Sequence, residues 1–299
     1  RVATLPPYVF ANIEQRIAAA RASGVDVISL GVGSPDLPPP PHIIEALCAA
    51  ASRPDTHGYA GYFGTPALRG AIATYYARRF GVSLDPEREI LPLLGSKEGL
   101  ANMALAFVDP GDVVLAPDPG YPTYRMGAIM AGGAYHPLPL RKERGYLPDL
   151  DAVPGDVAER ATLLWLNYPN NPTGACASRE FLAEAVAYCR EHDIVLGYDN
   201  AYCDVTYEGY VAPSILEVPG ASEVAVEFNS LSKTYNMAGW RVGMAVGNAQ
   251  ASVPSPRSRR TWTRGCFARC RTPRRPRSSA TRTGSPSATA PTNAAAMPC

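Results

Sequence analysis

Lysine is the rare cation of this sequence, with Lys97, Lys142 and Lys233 set against 25 arginines. A chain that favours arginine so strongly for charge keeps lysine where an amine itself is needed. Arginine cannot form an imine or lose a proton near neutrality, and a desolvated lysine can do both. Lys233 lies in F-N-S-L-S-K-T-Y-N-M-A-G-W-R-V-G, just past an expected strand, with hydroxyls at Ser230 and Ser232 and a cation at Arg241. A lone S-x-x-K is usually a surface lysine in a polar loop, so the other motifs decide its reading.

Gly95-Ser96-Lys97 closes an expected strand and opens a helix, where free amides and a hydroxyl suit a phosphate. A serine in that place is more often only a cap. Asp199 ends the strand I-V-L-G-Y-D, with Tyr202 three residues on, and could equally cap the next turn. Asn171 sits in N-Y-P-N-N-P-T-G, whose prolines and glycine are also ordinary turn chemistry. The carriers of acid–base or nucleophilic work are thus an amine, a carboxylate, a phenol and an amide, each at the end of a strand.

The elements that must position them follow from the hydrophobic pattern. Strands are expected over Val25–Gly31, Glu89–Leu94, Val113–Ala116, Thr162–Asn167, Ile194–Tyr198, Val224–Phe228 and Val242–Val246. Helices are expected over Pro66–Phe80, Leu100–Phe107 and Ser178–His192, the last with Ser178 as N-cap and Arg190 in its final turn. Alternating strands and helices imply an α/β fold with a mostly parallel sheet covered on both faces. Ligands of such folds bind at the carboxyl ends of the strands, where the motifs lie.

Composition bounds the rest. The chain has 299 residues, about two domains' worth, and is 46% hydrophobic and 18% charged, which excludes wholesale disorder. No apolar run approaches the roughly 20 residues of a spanning helix, and Arg1–Phe10 lacks the apolar core of a secretion signal. Seven cysteines without a C-x-x-C pair and four scattered histidines argue against a disulfide framework and against a metal site, so no metal is expected and a reducing cytoplasm is the default compartment.

The net charge of +1 hides a break. Residues 251–299 hold ten arginines and no acid, whereas residues 1–250 carry 18 basic against 27 acidic residues. That final stretch is rich in Pro, Ser, Thr and Ala and is expected to be disordered. It reads as a basic arm for nucleic acid, as a plain tail, or as the product of a shifted reading frame. The last is preferred: residues 262–273, back-translated with GC-rich codons and read one base upstream, permit an amphipathic string carrying both charge signs. Nucleic-acid binding is not the expectation.

Taken as a set, the phosphate loop, Asn-Pro-x-Gly, Asp-x-x-Tyr and S-x-x-K with an arginine eight residues beyond resemble the fold-type-I aminotransferases that use pyridoxal 5'-phosphate (PLP). The likeness runs from residue 1 to about 250. It implies an aspartate aminotransferase-like arrangement, with residues 1–50 as an N-terminal arm and part of a small domain, 51–250 as the PLP-binding large domain, and the C-terminal small domain missing. By this resemblance Lys233 would carry PLP covalently and later move the substrate's α-proton. Asp199 would pair with the pyridine nitrogen, and Asn171 and Tyr202 would bond the phenolic oxygen. Tyr121, in D-P-G-Y-P-T-Y, would stack on the ring. Gly95, Ser96, Lys97, Ser230 and Arg241 would hold the phosphate, with Tyr59 reaching it from the neighbouring subunit of a homodimer. Gly33, in L-G-V-G-S-P-D, and Asn171 would face the substrate.

The partners implied are an amino-acid donor and a 2-oxo-acid acceptor. The stretches L-P-P-Y-V-F-A-N-I-E, L-P-L-L-G-S-K-E-G-L and N-S-L-S-K-T-Y-N-M-A-G-W-R-V-G are most similar to the subgroup acting on LL-2,6-diaminopimelate with 2-oxoglutarate. Aspartate or aromatic aminotransferases and PLP-dependent lyases share the same cofactor residues and remain alternatives, as does a non-catalytic nucleic-acid-binding relic. The family's carboxylate-binding arginine would fall beyond residue 299, so a cofactor domain without a complete substrate site is expected, of doubtful activity.

Overall fold

The computed structural model describes residues 9–31, 33–61 and 63–247. The expectations for residues 1–8 and for the basic stretch 251–299 lie outside the described residues.

Seven strands form one sheet: β1 (Ile90–Leu93), β2 (Val113–Asp118), β3 (Ala134–Pro139), β4 (Ala161–Leu166), β5 (Val195–Asp199), β6 (Ala225–Ser230) and β7 (Gly243–Val246). Their order is β1-β7-β6-β5-β4-β2-β3. Only β7 runs against its neighbours, pairing antiparallel with β1 and β6, while the remaining pairs are parallel. The mostly parallel α/β sheet expected from the sequence is therefore present. Every residue of β4, β5 and β6 is buried, as strands covered on both faces must be.

Side-chain alternation along the strands builds a core on each face. Leu164, Leu166 and Leu196 point with Phe181, Leu182 and Val186 of α7 (Arg179–Glu191) to one side. Leu163, Trp165 and Phe228 pack on the other against Leu100, Met103 and Ala104 of α4 (Ser96–Phe107) and Tyr124 and Ala128 of α5 (Pro122–Ala131). A third cluster joins Ile72, Tyr76 and Phe80 of α3 (Pro66–Phe80) to Ile90, Met244 and Val246.

Local signals hold where they were strong. The helix expected from 178 onward is α7, capped by Ser178 Oγ accepting the Phe181 amide at 3.2 Å, with Arg190 in its last turn. One expectation is corrected. Residues 25–31 form no strand, and Ile28 and Leu30 are 83% and 93% exposed. The apolar run is there, but a strand also needs a neighbour for its backbone, and no strand pairs with this segment among the described residues. The helix expected to open at Gly95-Ser96-Lys97 is α4, which begins at Ser96 with Gly95 before it and includes the apolar stretch Leu100–Phe107. Lys233, just past the expected strand, lies in a single helical turn, α9 (Leu231–Thr234).

Candidate active site

The carboxyl ends of β1, β4, β5 and β6 deliver the predicted residues. Asp199 is the last residue of β5 and is 5% exposed. Its Oδ2 accepts the Tyr124 hydroxyl at 2.8 Å, while its Oδ1 is buried and has no partner. Burial pushes the carboxyl up to about 6, and the hydrogen bond from Tyr124 pulls the other way. Tyr124 is fixed in turn by stacking on Trp165, ring centroids 5.1 Å apart. Its phenol is raised well above the ordinary range by burial and by the adjacent carboxylate, so it remains the donor.

Asn167, immediately after β4, joins two of the motifs. Its amide nitrogen donates to the Asp199 carbonyl at 2.7 Å, and its oxygen accepts the Asn171 backbone amide at 2.7 Å. The Asn171 loop is therefore tied to the end of β5. The Asn171 side chain donates to the Tyr202 hydroxyl at 3.4 Å. Lys233 Nζ stands 5.8 Å over the Tyr202 ring and donates to the carbonyl of Gly33. Burial lowers the Lys233 ammonium from its ordinary value, which favours the neutral amine.

The third corner is the loop between β1 and α4. Gly95 has φ 77° and offers no side-chain cap, so the amides that open α4 are not occupied by one. A Cβ on Gly95 would lie 2.1 Å from the Arg241 guanidinium, so only glycine lets that cation sit against the loop. Arg241 is held by the carbonyls of Ala238 at 2.8 Å and Leu94 at 3.4 Å. Gly243 of β7 runs so close beneath that its Cβ would meet the Ser96 amide at 2.5 Å. Ser230 caps α9 by accepting the Ser232 amide. Tyr121 lies under Lys97, whose Nζ is 5.9 Å from its ring centroid, and packs edge-on against Tyr124.

Two predicted residues stand differently. Gly33 belongs to an exposed segment and reaches the site through its carbonyl alone. Tyr59 is 97% exposed, and nothing in a single chain brings it to the other residues. Sequence reasoning passed over Tyr124, Asn167 and Gly243. Each had a signal: the second tyrosine of D-P-G-Y-P-T-Y, the polar residue closing an apolar strand, and the glycine ending W-R-V-G.

The arrangement suits an aromatic cationic heterocycle bearing a phosphate. A buried acceptor without a donor awaits an N–H, and a helix opening beside an arginine suits the anion. An amine of lowered basicity stands over the Tyr202 ring and bonds the Gly33 carbonyl. Among the described residues no cluster of three or more His, Cys, Asp or Glu could hold a metal, and no helix is long and apolar enough to cross a membrane.

Comparison with known proteins bears on this chemistry. Residues 25–297 match the family described as aminotransferase class I and II. LL-diaminopimelate aminotransferase of Desulforudis audaxviator is 57% identical over 251 residues, covering 84% of this chain and 64% of that protein. The enzyme of the same name from Moorella thermoacetica is 54% identical over 83% of this chain and 64% of its own length. This chain thus spans a little under two thirds of these relatives. Among solved structures, substrate-bound BacF of Bacillus subtilis superposes with a TM-score of 0.78 at 44% identity, covering 83% of this chain and 62% of that one. Aspartate aminotransferase of Thermus thermophilus with maleate gives 0.76 at 34% identity, over 83% and 63%.

Proposed function

This chain belongs to the class I and II aminotransferase family, with the aspartate aminotransferase-like fold and the family's cofactor PLP, and from that premise we propose that it transfers the amino group of LL-2,6-diaminopimelate to 2-oxoglutarate. The observation that carries the reading is the meeting of Asp199, with one buried oxygen lacking a donor, and the Asn171–Tyr202–Lys233 group at adjacent strand ends. The identity of 57% to a diaminopimelate aminotransferase supports the substrate.

When bound, PLP supplies a ring that takes up the electrons left when a substrate α-proton departs. The chain's own residues do the rest. Asp199, with Oδ1 unpartnered, would hold the ring nitrogen, and at neutral pH its carboxylate would favour the protonated form. Asn171 and Tyr202 would hydrogen-bond the phenolic oxygen. The Gly95–Ser96–Lys97 turn, Ser230 and Arg241 hold the phosphate through amides, hydroxyls and cations. Tyr121 would cover one face of the ring. Lys233, uncharged more readily than an exposed lysine, is the amine that would hold the cofactor and, at Nζ, could take and return a substrate α-proton. Gly33 and Asn171 border the substrate.

Residues 51–250 are the cofactor-binding large domain of this reading, and residues 1–50 are the N-terminal arm, which brings Gly33 to it, together with part of a small domain. Tyr59 of the partner subunit completes the phosphate site, so the active form is a homodimer. Its place is cytoplasmic lysine biosynthesis.

The test is a half-reaction followed by its reversal. The PLP-loaded protein loses its bound-cofactor absorbance on addition of LL-diaminopimelate and regains it with 2-oxoglutarate, releasing glutamate. Release of oxo acid and ammonia without glutamate would point to a lyase instead.

A further inference from the structure

Lys233 sits in a helix of only four residues, too short to hold its own orientation in water. What holds α9 is its surroundings. At its start, Ser230 caps it, and the Leu231 amide bonds the Val242 carbonyl at 3.1 Å. At its end, the Thr234 hydroxyl donates to Asp204 Oδ2 at 3.1 Å. Asp204 lies two residues past Tyr202, in the turn that follows Asp199. Its carboxylate also accepts the Tyr75 hydroxyl at 2.7 Å and Arg79 Nε at 2.8 Å, both from α3. Arg79 reaches on to the Cys203 carbonyl at 3.1 Å.

We infer that Asp204 is a positioning residue: through the Thr234 hydroxyl it locks the Lys233 turn to the Asp199–Tyr202 turn and to α3, and so sets where the Lys233 amine stands over Tyr202. Asp204 does not act on Lys233 as a counter-ion. Its charge is matched by Arg79, with both side chains about one-fifth exposed, and burial alone lowers the Lys233 ammonium. Three donors fill the carboxylate from three directions, so its oxygen facing Thr234 has little freedom. Loss of the Thr234 bond would leave the end of α9 free to shift while the β-sheet and α3 stay as they are.

This inference rests on Lys233 being the cofactor-carrying amine, but one arm of its test does not. With only three lysines in the chain, reductive methylation with isotope-labelled methyl groups gives a resolvable magnetic-resonance signal for each. Thr234→Val, which removes the hydroxyl and keeps the shape, should move the Lys233 signal toward that of an unstructured lysine. Lys97 and Lys142 should be unmoved, and Thr234→Ser should restore the parent signal. Asp204→Asn should act in the same direction as Thr234→Val. In unmethylated protein, Thr234→Val should slow borohydride-trappable attachment of PLP to Lys233 by about tenfold, a cost in keeping with sub-ångström misplacement of a reacting group. A Lys233 signal indifferent to Thr234→Val, or moved equally by Thr234→Ser, would overturn the inference. A parent protein that attaches no PLP would count against the cofactor reading, while the methyl signals would still decide the role of Asp204.

Discussion

At the scale of single residues, Asp199 carries the clearest consequence. Its folded-state carboxyl titrates near 6, above the ordinary aspartate value of 3.8. The native protein without cofactor therefore binds a proton more tightly than the unfolded chain does. The resulting stability is fully present below about pH 4 and is lost as pH rises through about 6, a difference of roughly 3 kcal/mol. Urea midpoints of the cofactor-free protein should fall over that window, and Asp199→Asn should flatten the profile. On the proposed pairing of Asp199 with the ring nitrogen, cofactor binding runs the opposite way, because the pairing needs the carboxylate. PLP affinity should drop as pH falls below about 6, and Tyr124→Phe, which removes the side-chain hydroxyl donated to Asp199, should move that midpoint upward. An affinity unchanged between pH 7 and 5 would contradict the pairing. The polar identity of Asp199 was legible in the sequence as the end of an apolar strand. Its orphaned oxygen was not, because that depends on Tyr124 arriving from a helix 75 residues away.

At the scale of elements, the strand ends are held together by few bonds. Asn167 links β4, β5 and the Asn171 loop, and it is 1% exposed. Asn167→Ala would leave the buried Asp199 carbonyl without its side-chain donor, and a loss of about 2 kcal/mol is expected in denaturant titration. Ser178→Ala, far from the site, should cost about 1 kcal/mol through the cap alone and leave PLP binding untouched. Elements with local signals were readable: the Ser178 cap and the periodicity of α7, and the apolar runs of β4 and β5. β3 was not, since His136, Pro137 and Pro139 obscure an edge strand whose register on β2 is a tertiary matter. Residues 25–31 fail for the opposite reason. They are rich in apolar and β-branched residues, and what a strand requires beyond that is a partner that no local pattern encodes. The one-turn helix bearing Lys233 was likewise invisible, because four residues carry no periodicity.

At the scale of the whole molecule, the exposed Tyr59 is the residue that a single chain leaves unexplained. If it completes the phosphate site of the partner subunit, sedimentation should find a dimer. Tyr59→Ala should then weaken PLP binding several-fold without changing the sedimentation of the dimer. A monomer that binds PLP as tightly as the parent dimer would remove the shared site. The fold class, the parallel sheet and the site at its carboxyl edge were all legible from the alternation of strands and helices and the order of motifs. The antiparallel β7 was not, although it is what brings Gly243 beneath Ser96 and Arg241 beside Gly95.

Everything turns on which amine accepts the cofactor aldehyde. Incubation with PLP, reduction with borohydride and peptide mapping by mass spectrometry should place one pyridoxyl group on Lys233, absent from Lys233→Ala. A pyridoxyl group on Lys97 or Lys142 instead, or none on any of the three lysines, would contradict the account.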